Sequence, residues 1–287
     1  MQDNNEYRHP VPGRAGRLIE RLANSSRFAS WRHAILSRLP FVTLASDVVD
    51  VIYVSWLVDA SAAQALLPPG VTLWQRDGKT PFTVLTYRHG HFGPSLAGPL
   101  RRLTPSPLQS NWRLYLEPAQ ERTQAGAPPV ATVFFLKNIM DSLPHALGTR
   151  LFSDILPTHL AAGMTHAVDA QQAHCSIVPG AGSAPAFDFE ARREGGKQLD
   201  DDWRALFGSW NDAVRYLACQ DAAIAHVPRN GRLALGEISL PVDLSTVLPL
   251  TPLQAHCALL AQLPPVSPPL AFLVPAVPFL ALSERLL

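Results

Sequence analysis

The chain has 287 residues, 47% hydrophobic and only 16% charged, which is enough apolar material for one large core or two modest ones. A net charge of +1 gives no support to nucleic acid as a partner. The three cysteines, Cys175, Cys219 and Cys257, are an odd number without C-x-x-C spacing, which argues against a disulfide framework and a structural zinc site, and a reducing cytoplasm is expected.

Residues 1–14 are polar and open no secretory signal. Residues 15–39 read as one basic amphipathic helix, with Leu18, Leu22, Phe28, Ile35 and Leu39 apolar and Arg14, Arg17, Arg21, Arg27, Arg32 and Arg38 cationic. Such a helix either packs on the body with its arginines in water or lies on an anionic membrane surface as a peripheral contact.

After Pro40 the period changes. "VVDVIYVSWLV" (48–58) is β-branched and aromatic, a strand, and Asp59 caps a short helix stopped by Pro68-Pro69-Gly70. "VTLWQ" and "PFTVLTYRH" read as strands around a hairpin at Arg76-Asp77-Gly78-Lys79, and "SNWRLYLEP" and "PVATVFFLKN" as the next strand pair. A helix is expected over 141–155, strands over 158–193, and a helix opening at Asp200 with Trp203, Leu206 and Phe207 on its apolar side. "AAIAHVP" and "LALGEISLPV" form a second hairpin around Arg229-Asn230-Gly231-Arg232.

From Cys257 to Leu282 the chain carries no charge. Its length admits a membrane span, but Pro264, Pro265, Pro268, Pro269, Pro275 and Pro278 would leave helix hydrogen bonds unmade in lipid. A buried or edge strand and tail covering the body is the other reading. Many short strands and few helices predict one closed, mainly antiparallel β domain over 45–255, preceded by a basic N-terminal segment (1–44) and followed by a Pro-rich apolar tail (256–287).

Several chemistries drop out. "GPSLAG" has Ala97 where a nucleophile elbow needs its second glycine, and "GAGSAP" (180–185) lacks dinucleotide-loop spacing. His89-Gly90-His91 sets two imidazoles on one strand face, but no carboxylate follows in "FGPSLAGPLRR", so solvent-facing histidines are expected and no metal. No cofactor motif occurs.

Four segments taken in order resemble one family. "VSWLVDASAAQALLPPGVTLWQRDGKTPFTVLTYR" carries W-x-V-D, a short helix ending L-L-P-P-G and a D-G hairpin. "NWRLYL" resembles an N-x-R-x-Y strand, and "ALGTRLFSDILPTHLAAGM" an A-x-x-x-R, L-P-x-H-x-A pattern, with "NDAVRYLACQ" downstream. The set, spanning about 50–245, resembles the YqjF-like family, a family of unassigned function in the acetoacetate decarboxylase-like superfamily. That implies a closed antiparallel β-cone or barrel with an internal cavity and a few flanking helices.

In the decarboxylases of that superfamily, a lysine within the barrel forms a Schiff base with the keto acid, and a neighbouring cation lowers its pKa. The resemblance keeps the arginine of their motif as Arg150 but sets Thr158 and His159 where the lysine pair stands, and Gln109 where a catalytic glutamate stands. Lys137 lies on a different strand end and does not inherit the role. The resemblance therefore implies a barrel without the iminium chemistry, with Arg150 and His159 facing or bordering the cavity and Asn111, Arg113 and Tyr115 on an adjacent strand.

Arginine offers a planar fork for an anion, and histidine an acid–base group near neutral pH. Other placements stand beside these: Arg150 pairing with Asp154 one turn on, or Asn111, Arg113 and Tyr115 together on the outer strand face. Two functions follow. One is a protein that binds a small anionic or carbonyl-bearing ligand. The other is an enzyme of altered acid–base chemistry, with His159 as acid or base and Arg150 orienting the anion. A membrane-associated protein and a homo-oligomer are further expectations.

Overall fold

The computed structural model describes residues 5–36, 38, 40–118, 130–227 and 231–287. The N-terminal basic stretch is two helices, α1 (Arg14–Ala23) and α2 (Ser26–Leu36), rather than one. The break falls at Asn24, whose amide is held by both backbone groups of Tyr7 at 3.0 and 2.8 Å. Nor do all its arginines meet water: Arg32 is buried and ion-paired to Asp154. Leu39 lies outside the described residues.

β1 (Leu44–Asp59) leads into α3 (Ala60–Gln64), capped by Asp59 through the Ala62 N–H at 2.8 Å. "VTLWQ" is not a full strand. Leu73 makes one bridge to Leu116, because its N–H goes to the Gln64 side chain at 3.0 Å instead of a neighbouring strand. The Asp-Gly turn forms as expected, with Asp77 and Gly78 both at positive φ (51° and 73°), and opens β2 (Lys79–Arg88). β3 (Gly93–Pro94), β4 (Leu108–Tyr115) and β5 (Thr132–Met140) follow, then α4 (Leu143–Phe152) and β6 (Thr158–Leu160). β7 (Gly163–Val168), β8 (Gln172–Val178) and β9 (Phe187–Arg192) precede α5 (Asp201–Phe207) and α6 (Trp210–Ala218). β10 (Ala222–Val227), β11 (Arg232–Ser239), β12 (Leu248–Cys257) and β13 (Leu270–Leu286) complete the chain. The second hairpin joins β10 to β11 with Val227 opposite Arg232; its Arg229-Asn230 pair lies outside the described residues.

The expected closed barrel is present. The strands run β1-β2-β4-β5-β10-β11-β13 and return to β1, all antiparallel except the β5–β10 pair. β12, β9, β8 and β7 continue from β13 as a second sheet laid over the barrel. Alternation along β1 sorts the packing. Ile52, Val54 and Trp56 face the second sheet, where Phe187, Phe189 and Cys175 meet them, while Val51 and Tyr53 face the lumen. Beside the lumen, α5 and α6 bring Trp203, Leu206, Trp210 and Leu217 against Tyr53, Tyr115 and Phe272.

The division at 255/256 has no structural counterpart, since β12 crosses it and β13 is the stave that closes the barrel. The proline content did not prevent this. Pro275, which has no N–H to give, falls where the β1–β13 register passes over Asp50. Asp50 stands at φ 54°, in a stretch where β1 also shifts register against β2, and its carbonyl accepts from His166 Nε2 at 2.7 Å. No helix among the described residues is long and apolar enough to cross a membrane.

Candidate functional site

On β4 the odd-numbered residues share the lumen face: Gln109, Asn111 and Arg113 line a cavity of about 410 Å³, with Tyr115 behind them. A bulge sets what they meet on β5. The register shifts between Trp112 and Arg113, so that Asn111 stands opposite Asn138 while Arg113 stands opposite Phe135. Leu136 is the extra residue, and it lets an even-numbered asparagine and an odd-numbered phenylalanine both face inward.

Arg113 is buried. Its guanidinium donates to the Leu217 carbonyl of α6 and to the Tyr115 hydroxyl at 3.4 Å, and its carbon lies 5.4 Å from the Tyr53 ring centre and 5.5 Å from that of Tyr115. The Tyr115 hydroxyl in turn lies 3.0 Å from both Thr83 Oγ1 and the Leu217 carbonyl. Among the described residues no carboxylate lies within ion-pair distance of Arg113. A buried cation held only by neutral dipoles and ring faces is costly, and an anion entering the cavity relieves that cost.

Around it stand neutral side chains bonded to one another, while the lining elsewhere carries two carboxylates, Glu237 and Glu284. Gln109 Nε2 donates to Asn138 Oδ1 at 2.7 Å, leaving its Oε1 to accept from His89 Nε2 at 2.6 Å. That assigns the His89 proton to Nε2, with Nδ1 accepting from Ser46 at 2.8 Å. Asn111 donates to the same Asn138 oxygen and accepts from Tyr87 at 2.9 Å, while Asn138 donates to Thr158 at 2.6 Å.

Burial pushes His89 down to about 4, against the Gln109 hydrogen bond, so it is uncharged at neutral pH. Because the unfolded chain protonates near 6.5, this histidine's contribution is fully present above that pH. It is lost as pH falls toward 4, amounting to roughly 3 kcal/mol. His89→Gln is expected to flatten part of the acid limb. Urea titrations at pH 7.5 and 4.5 measure it, and an unchanged difference between the two pH values would reject the assignment.

The expected cluster is divided. α4 turns Pro144, His145, Gly148, Thr149 and Phe152 to the cavity and Ala146, Leu147 and Arg150 to the opposite side. There Arg150 donates to the carbonyls of Asn5, Ala23 (3.4 Å) and Thr158 (3.4 Å) and to Asn24 Oδ1 (3.1 Å), and lies over the Tyr7 ring at 5.3 Å. Asp154, its expected partner, pairs with Arg32. His159 is fully buried under the same N-terminal segment, with Nδ1 2.7 Å from Ser183 Oγ and Nε2 3.5 Å from Asn5 Oδ1. Burial, then Lys137 and Arg150, hold it well below the usual histidine range. Neither Arg150 nor His159 lines the cavity; Asn111 and Arg113 do, and Tyr115 positions Arg113.

His89 was expected at solvent, paired with His91. Instead it faces the lumen while His91, at φ 54°, turns out to Asp47 at 3.1 Å. The alternation Leu85, Tyr87, His89 carried that signal, and so did Gln109 two residues before Asn111. Among the described residues no group of three metal-ligating side chains forms.

No family model and no curated protein matches the chain. Solved structures do. The enduracididine biosynthesis enzyme MppR complexed with pyruvate is 14% identical, covering 86% of this chain and 90% of that one at a TM-score of 0.54. Acetoacetate decarboxylase from Legionella pneumophila is 12% identical over 85% and 86% at 0.53. An acetoacetate decarboxylase-like enzyme from Sphingomonas wittichii RW1 is 10% identical over 87% and 94% at 0.54. At such identities the likeness is one of fold: this chain has the acetoacetate decarboxylase-like barrel.

Proposed function

We propose that this chain binds a small anionic molecule inside its barrel, as a YqjF-like variation on the decarboxylase fold that works without a Schiff-base lysine. One observation carries the reading: Arg113 is buried, faces the cavity and has no carboxylate partner among the described residues. The cavity wall, among the described residues, includes no lysine; Lys137 is not part of it. The enzyme reading built on His159 and Arg150 has no support in the positions of those two side chains. Free thiols at Cys175, Cys219 and Cys257 support a reducing compartment, the cytoplasm.

Calorimetric titration with a panel of monocarboxylates tests the proposal. Arg113→Gln is expected to weaken binding about 30-fold, near 2 kcal/mol, and Arg113→Lys to keep most of it. Equal binding by wild type and a folded Arg113→Gln variant would reject the anchor.

A further inference from the structure

The floor of the cavity and its walls differ in kind. At the floor stands one cation. Leu217 and Tyr115 take part of the guanidinium's five donors, Tyr53 offers its ring face, and the rest are left for a ligand. The neighbouring amides are partly spent: Asn111 gives one of its two protons to Asn138 and its oxygen receives one from Tyr87, which leaves a single N–H beside Arg113. Beyond that point the walls are mainly apolar, built from Val51, Leu85, Phe135, Val277 and Phe279, and the two carboxylates of the lining, Glu284 and Glu237, accept from Ser153 Oγ at 2.7 Å and Ser283 Oγ at 2.8 Å. The lining ends at Phe41 and Phe152, which are 40% and 59% exposed and so mark the mouth.

A ligand with polar groups along its length would strip them of water against these walls without replacing their hydrogen bonds. A short keto acid would fill the floor and leave the walls wet. About 410 Å³ holds roughly 14 water-sized groups at ~30 Å³ each. Resting on the anion-binding reading above, we infer that the ligand is an amphipathic monocarboxylate: one carboxylate on Arg113 and an apolar body of up to about ten carbons running to the Phe41–Phe152 mouth. The site thereby selects by tail length as well as by charge.

The test uses the full-length protein and calorimetry with butyrate, hexanoate, octanoate, decanoate, dodecanoate, pyruvate and octanol. Affinity is expected to rise about fourfold per buried methylene from butyrate to decanoate, with no further gain in dodecanoate, whose tail passes the mouth. Octanol should bind at least tenfold more weakly than octanoate in the wild type. In Arg113→Gln, whose folding is checked by its thermal melt, the two should become equal. Pyruvate or butyrate binding as tightly as octanoate would overturn the amphipathic class while leaving the anion site standing. Octanol matching octanoate in the wild type would overturn the carboxylate head. If no carboxylate of any length binds, the anion-binding reading itself fails, and this inference with it.

Discussion

A chain ending at Cys257 is expected not to fold. Removing residues 258–287 takes away β13, which pairs with β1 from Leu44↔Ala281 to Ser55↔Leu270 and with β11 from Ala234↔Leu286 to Ser239↔Leu280. It also removes the buried side chains Phe272, Leu273, Val274 and Val277. At about 1.5–3 kcal/mol for each such side chain, their loss alone approaches the whole ~5–15 kcal/mol by which a domain is stable. The open edges of β1 and β11 add an aggregation hazard. Far-UV circular dichroism and a urea titration give the readout, and a cooperative transition in the truncated chain would refute the closing role of β13. A milder variant grades the effect. Phe272 is fully buried and stacks on Tyr53 at 4.6 Å, so Phe272→Ala should cost about 3–5 kcal/mol.

Arg150→Met is expected to destabilise the fold by about 3–5 kcal/mol while leaving ligand binding by the folded fraction unchanged. The substitution keeps a long apolar stem but strands the Asn5, Ala23 and Thr158 carbonyls and half of the Asn24 amide that the guanidinium satisfies. It also removes the cation from the Tyr7 ring. The N-terminal segment should loosen first, since Arg150 and the Asn24–Tyr7 bonds are what seat it against α4 and β6. A lowered urea midpoint and faster proteolysis before Arg14, with carboxylate affinity intact, is the expected pattern. Lost affinity in a variant of wild-type stability would place Arg150 in the binding site after all.

These two residues mark where reading the chain succeeds and where it stops. Asn111, Arg113 and Tyr115 share a face because a strand alternates with period two, and that period is written locally. The Asp77-Gly78 turn and the Asp59 cap are equally local, since each needs only a few neighbouring side chains. The order of the motifs gave the barrel through resemblance, and the barrel is present. Arg150 has the right type and spacing for a cavity cation, but its side of α4 is set by which flank packs on the barrel. That choice depends on Tyr7, Ala23 and Asn24, more than a hundred residues away.

Sequence by itself determined the local alphabet of this protein: most of its strands, its turns, and that Asn111, Arg113 and Tyr115 share one face of β4, with the side that face meets left open. The tertiary structure alone decided closure, because the proline-bearing β13 becomes a stave only through its long-range pairing with β1 and β11, with Pro275 falling where the register passes over Asp50 and Pro278 opposite Asp47. It also decided the cavity's membership. The bulge at Leu136, the flank of α4 that packs on the barrel and the N-terminal segment each decide which side chains reach the lumen through distant partners. Pairing across long separations is a cooperative property of the whole fold, and no window of sequence contains it.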